Sequence, residues 1–222
     1  MKKLIKGIIE FREKYWPDYK DTFAQLALGQ SPDALFVTCS DSRVAVNVFA
    51  STDPGDLFVV RNIGNMIPPC DHQGISYNDK SEAAAIEFAL STLKVSAIII
   101  CGHSECGAMQ ALLKAKTDSH TPNLTDWLRN GKASLEYLDA HPDFAKDQPL
   151  HNRLSQLNVL RQMENLKAYP IVRSRLEEGT LSIYGWWFEL KTACVYAYDE
   201  DEHRFVPFDR SVADRILKRL KV

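Results

Sequence analysis

The chain has 222 residues, long for one domain and short for two, which favours a single domain over 1–222 with a sizeable core. Its 27 Lys plus Arg against 29 Asp plus Glu leave a formal charge of −2, and with no basic excess nucleic-acid binding is not expected. At 45% hydrophobic and 25% charged residues, the composition is that of a folding chain rather than a disordered one.

The opening, M-K-K-L-I-K-G-I-I-E-F-R-E-K-Y, carries Lys6, Glu10, Arg12 and Glu13, so the uninterrupted apolar core of a signal peptide is missing and a cytoplasmic address is expected. Within it, Leu4, Ile8, Phe11 and Tyr15 recur at helical spacing, predicting an amphipathic helix that Pro17 ends. A second helix is expected over Phe23–Leu28. After the Gly29–Pro32 turn come three apolar runs, Ala34–Thr38, Asp56–Arg61 and Val95–Cys101, continuous rather than alternating, as in strands covered on both faces. None of these runs approaches the roughly 18 residues of a membrane span. Between the second and third runs, Asp79 with Glu82 resembles a capping box, and Ile86, Leu90 and Leu93 give a helical stripe, so those two strands are expected to pair in parallel. Leu154, Leu157, Leu160 and Met163 mark a later helix. Thr180–Trp186, Ala193–Asp199 and Arg204–Phe208 then predict a further strand and an antiparallel edge hairpin. The fold class is α/β: a central, mostly parallel sheet flanked by helices, with an antiparallel hairpin near the C-terminus and an N-terminal helical arm over 1–29.

Open parallel sheets bind ligands beyond the carboxyl ends of their strands. Two chemically loaded segments fall there, C-S-D-S-R at 39–43 and C-G-H-S-E-C-G at 101–107. His103 and Cys106, three apart where a loop turns into a helix over Ala108–Lys114, can meet on one side of its first turn. Alone, such a pair is more often a hydrogen-bonded histidine and a buried thiol. Cys39, ending a strand that can neighbour the one leading to His103, adds a third soft ligand. A Cys2His set lacks one ligand of a closed tetrahedral zinc site, the mark of a catalytic rather than a structural centre. Cys101 would close the site as a fourth ligand, but it falls within an apolar run, where a packed thiol is the simpler assignment. The odd count of five cysteines argues against a disulfide framework. Two thiolates cancel the charge of Zn²⁺, so the ion acidifies water less strongly than with three imidazoles, and help must come from nearby. Asp41, kept ionised by bidentate pairing to Arg43, can accept a hydrogen bond from water and orient it; without Arg43 it can swing onto the metal and close the open position. The plainer reading of Asp41 and Arg43 is a local salt bridge that ties down a loop.

C-S-D-S-R at 39–43, R-N-I-G-N at 61–65 and G-H-S-E-C-G at 102–107, in this order and spacing, closely resemble the β-class carbonic anhydrases. The resemblance is strong over roughly Phe23–Thr117 and weaker at G-W-W-F, 185–188. It implies reversible hydration of carbon dioxide to bicarbonate and a proton by zinc-bound hydroxide, with one Zn²⁺ per chain on Cys39, His103 and Cys106, and with Asp41 and Arg43 as the catalytic dyad. It further implies Gln30 as a substrate-holding amide and Phe58, Ile63 and Phe88 as the apolar wall for carbon dioxide, partly supplied by a neighbouring subunit in a homodimer or dimer of dimers. The arm over 1–29 would pack on that partner. Many plant-type relatives have tyrosine where Phe88 stands.

The allosteric subtype of that family carries a tryptophan and a tyrosine where this chain has Phe36 and Phe188, which cannot donate to an anion. The resemblance therefore implies the plant-like subtype, with Asp41 paired to Arg43. Three other readings compete: a Cys39 thiol cradling phosphate with Arg43, which lacks a Gly-rich loop; a structural zinc module, which needs a fourth ligand and has no use for the dyad; and a hydrolase of carbon disulfide or carbonyl sulfide on the same architecture. No side chain is assigned to carry the released proton; His72 and His120 are loop candidates on composition alone, and Cys70, Cys194 and the Gln73–Asp79 stretch have no assigned role.

Overall fold

The computed structural model describes residues 1–77, 79–114 and 120–219. Six strands form one sheet in the order β2-β1-β3-β4-β5-β6: β1 (Ala34–Cys39), β2 (Leu57–Asn62), β3 (Ala97–His103), β4 (Ser182–Glu189), β5 (Cys194–Asp199) and β6 (Arg204–Pro207). The first four are parallel and the last two antiparallel, the mixed α/β architecture expected. The second and third strands run parallel but do not pair, because β1 lies between them. From β1 the chain goes to one side for β2 and to the other for β3, so the crevice beyond Cys39 and His103 is the switch point where such sheets bind ligands.

The strands end later than the apolar runs suggest. β1 and β3 extend to Cys39 and His103, and β4 to Glu189, because the ladder register runs past the apolar residues and pairs His103 with Phe188 and Cys39 with Asn62. Alternation then sorts the core. Leu35, Val37, Ile98 and Ile100 face α4 (Ser81–Glu87), α8 (Leu150–Ala168) and α9 (Pro170–Glu177), while Ala34, Phe36, Ile99 and Cys101 face Val46, Phe49 and Phe188. α8 lies hard against β3: a Cβ on Gly102 would come 2.8 Å from Val159 Cγ2 and 3.2 Å from the Ser155 carbonyl, which only glycine permits.

Two helix boundaries differ from expectation. Helical structure runs on through Pro17, from α1 (Lys2–Glu10) through a π-turn (Phe11–Tyr15) into α2 (Trp16–Leu26). The π-turn sets Pro17 in the first turn of α2, where its missing N–H costs no intrahelical bond. The second helix thus begins at Trp16 rather than Phe23. At α4 no capping box forms. Asp79 Oδ1 accepts the Ser81 N–H at 2.8 Å, but Glu82 is buried and accepts from Asn62 Nδ2 at 3.2 Å, with its carboxyl pKa raised by burial. The α4 stripe continues through a π-turn over Phe88–Thr92. Within the Gln73–Asp79 stretch Asn78 lies outside the described residues, as does Thr117. Among the described residues, no helix is long and apolar enough to cross a membrane.

Candidate metal centre

Three ligand atoms converge at the switch point. The sulfurs of Cys39 and Cys106 and a ring nitrogen of His103 lie within 4.8 Å of one another, and all three residues are buried. β1 delivers Cys39 and β3 delivers His103. The Ser104–Glu105 turn then brings Cys106 back at the start of α5 (Gly107–Lys114). Glu105 takes a left-handed conformation, φ +56°, uncommon for a side chain of its kind, and it is held there by three contacts. Its N–H donates to Asn152 Oδ1 at 2.8 Å, its carbonyl accepts from Arg43 Nη2 at 3.1 Å, and its carboxylate meets His151 Nε2 at 3.0 Å.

The donor set fits zinc. His103 Nδ1 lies 2.8 Å from the Ser104 carbonyl, which can only accept, so Nδ1 carries the hydrogen and Nε2 keeps its lone pair. That Nε2 is buried and has no hydrogen-bond partner among the described residues, a costly state that a cation beside it relieves. The contact between the two sulfurs favours a single thiolate shared by the pair: it pulls the Cys39 pKa down against the opposing effect of burial, with smaller help from His103 and the backbone of Gly64 and Asp41. The same contact, with burial, pushes Cys106 up. An anionic sulfur, a second sulfur and a free imidazole nitrogen suit a borderline-soft divalent ion. Cys101 is not in the group. It is fully buried in the core facing Phe36 and Phe188, and burial pushes its thiol up to about 12.

Asp41 stands beside the ligands, with Oδ2 3.9 Å from His103 Nε2. Its carboxylate is clamped by Arg43 in a two-pronged pair, Nε to Oδ1 at 2.9 Å and Nη2 to Oδ2 at 2.7 Å, and the Arg43 N–H also donates to Oδ1 at 3.0 Å. The Arg43 side chain hydrogen bond is the main reason the Asp41 carboxyl sits far below its ordinary range. Arg61 laces the same segment, donating to the carbonyls of Cys39, Asp41 and Val44, each at 2.8 Å.

The structure divides the remaining predicted residues. Ile63, half-exposed, follows directly on Asn62, the register partner of Cys39, and so lies at the ligand end of the sheet. Phe58 lies near the other end of β2, about 13 Å of strand from Asn62 at 3.3 Å per residue, and packs against Phe88 with ring centroids 5.8 Å apart. Gln30 is exposed ahead of β1, whose length alone sets about 17 Å between Ala34 and Cys39. Phe58 with Phe88 packed on it, and Gln30 ahead of β1, therefore lie toward the other end of the sheet from the ligand group of their own chain. Phe36 and Phe188 are buried, Phe188 stacked on Phe49 at 4.5 Å. His72 and His120 are exposed on turns.

Sequence reasoning missed the edge of α8 that holds the His103–Cys106 loop and the turn after β2. Asn152 takes the Glu105 N–H, Ser155 Oγ donates to the His103 carbonyl at 2.7 Å, and Asn158 Nδ2 donates to the Gly64 carbonyl at 3.0 Å. Further along, Gln162 Oε1 accepts the Ile67 N–H at 2.8 Å and Asn165 Nδ2 donates to the Ile67 carbonyl at 2.9 Å. The signal was present as polar residues three or four apart beside an apolar stripe on the same helix, a pattern that reads equally as a solvent face.

Comparison with known proteins places the chain among relatives of one kind. A family profile described as "Carbonic anhydrase" matches residues 34–195. The chain is 43% identical to a carbonic anhydrase of Synechococcus elongatus, over 86% of this chain and 69% of that one, and 34% identical to a carbonic anhydrase of Helicobacter pylori strain J99, over 95% and 96%. Its fold superposes on the β-carbonic anhydrase CcaA with a TM-score of 0.85 at 40% identity, covering 93% of this chain and 98% of that one. It superposes on a tetrameric β-carbonic anhydrase of Sordaria macrospora with a TM-score of 0.73 at 30% identity, covering 87% and 94%.

Proposed function

The chain belongs to the β-carbonic anhydrases, and from that membership we propose that it hydrates carbon dioxide reversibly to bicarbonate and a proton at a zinc centre on Cys39, His103 and Cys106. The observation that carries the reading is the buried Nε2 of His103, without a hydrogen-bond partner among the described residues and grouped with two thiols. Zinc bound there supplies Lewis acidity, lowering the pKa of water toward neutrality. The protein does the rest. Asp41, ionised because Arg43 grips both its oxygens, offers an acceptor beside the ligands and turns a lone pair of water toward the substrate carbon. Arg43 is tied back to the Glu105 carbonyl, so the acceptor keeps its direction. Ile63 gives uncharged carbon dioxide an apolar surface at the ligand end of the sheet.

The assignment is to the plant-like subtype. Phe36 and Phe188, packed in the aromatic core, have no polar group to hold an inhibitory anion. Metal analysis with a hydration assay tests the whole reading: one zinc per chain and rapid hydration are expected, and a metal-free, folded, inactive chain overturns it.

The single domain spans 1–222, and its arm serves a second copy of the chain. No residue of α1 or α2 is buried, and Leu4, Ile5, Ile8 and Ile9 on α1 stand exposed, an apolar stripe that its own chain leaves open to solvent. An isolated helix of this kind is marginal in water and is stabilised by docking. Gln30, Phe58 and Phe88, remote from their own ligand group, then belong to the partner's substrate pocket in a homodimer or dimer of dimers. Deleting residues 1–29 is expected to yield monomers by light scattering and to cost most of the hydration rate; a fully active deletion variant of unchanged size overturns the arm's role.

A further inference from the structure

The turn after β2 meets α6 (Pro122–Trp127) at one peptide group. A trans peptide carries its carbonyl oxygen and its N–H on opposite sides of one rigid plane. In the Ile63–Gly64 peptide both are engaged: Trp127 Nε1 donates to the Ile63 carbonyl at 2.8 Å, and the Gly64 N–H donates to Cys39 Sγ at 3.4 Å. The next peptide is held too, because Asn158 Nδ2 donates to the Gly64 carbonyl at 3.0 Å. Gly64 itself has φ +83°, and a Cβ there would lie 2.9 Å from Ala108 Cβ, so the turn is built for close approach to the start of α5.

The geometry points to Trp127, seconded by Asn158, as a positioning residue for the Cys39 sulfur, acting through the Ile63–Gly64 peptide. Trp127 is not itself one of the ligand group. Donation into the Ile63 carbonyl polarises the peptide and strengthens its N–H as a donor, and the fixed plane aims that N–H at the sulfur. An N–H on a thiolate draws charge from it and fixes its direction, and loss of such an outer partner typically costs about 10–100-fold in metal affinity or activity. Packing alone does not require an indole. The Trp127 ring rests on the cluster around Met66, Met109 and Leu112, which a phenyl ring also covers, whereas only the indole supplies the donor.

The inference rests on the metal reading above, and cobalt separates the two. The full-length chain is loaded with cobalt(II), and its affinity, by competition with a chelator, is read together with the thiolate-to-cobalt charge-transfer band. Trp127→Phe is expected to bind about tenfold more weakly, the low end of the outer-partner range, with a displaced band. Leu128→Ala, which trims the same cluster without touching the peptide, is expected to lower the melting temperature and leave both readings alone. A folded Trp127→Phe with wild-type affinity and band overturns the assignment, as does a Leu128→Ala that moves the band equally. If Trp127→Phe does not fold, Asn158→Ala frees the same turn from its other side, and unchanged readings there overturn it. Wild type that takes up no cobalt, or shows no thiolate band, sinks the metal reading itself.

Discussion

Replacing Cys106 with serine is expected to leave a folded chain that loses zinc and, with it, carbon dioxide hydration. Serine is close to cysteine in size, and Cys106 is only 1% exposed at the start of α5, so the surrounding packing survives. What changes is the donor. A hydroxyl stays protonated where a thiol can ionise, and it is a poor partner for a borderline-soft ion. The affinity loss is expected to exceed the roughly 10–100-fold seen when only an outer partner is removed. Metal analysis after dialysis, circular dichroism and a hydration assay read it together. Full zinc content with unchanged hydration would show that Cys106 is not a ligand.

Asp41→Ala is the second large effect and has the opposite metal signature. Asp41 makes no part of the ligand group, so zinc content should stay at the wild-type level while hydration falls by about 10²–10⁴-fold, the usual worth of a positioned acid–base group. The stability cost is small. The Arg43 side chain is 53% exposed and the Asp41 side chain 16%, so solvent screens the pair from the arginine side and its loss costs on the order of 1 kcal/mol. Unchanged hydration with zinc in place would remove Asp41 from the mechanism, and loss of zinc would make it a structural residue of the site.

The contrast between these variants bears on what was readable from residues alone. Cys39, Asp41, Arg43, His103 and Cys106 were legible because the chemistry sits in two short segments at strand ends, and a parallel sheet brings strand ends together. The strand limits were less legible, since His103 and Cys39 are polar or reactive residues that belong to the ladder. Pro17 was misread because a π-turn, invisible in a periodicity pattern, shifts it to a harmless position. Gln30, Phe58 and Phe88 were assigned by resemblance only; nothing local to them reports that they lie toward the other end of the sheet from their own ligand group. Trp127 and the polar edge of α8 went unread for a different reason. Their partners are backbone atoms of distant loops, and the spacing of polar residues on a helix does not say which main-chain group they meet.

That edge also fixes when the centre can be completed during synthesis. Cys39, His103 and Cys106 leave the ribosome early, but the groups that steady their loops, Asn152, Ser155 and Asn158, belong to α8 and emerge later. A nascent chain cut short before Leu150 carries every ligand and none of these braces. The group Cys39, His103 and Cys106 is therefore expected to reach its final geometry only once the long helix has docked, rather than when its own residues appear.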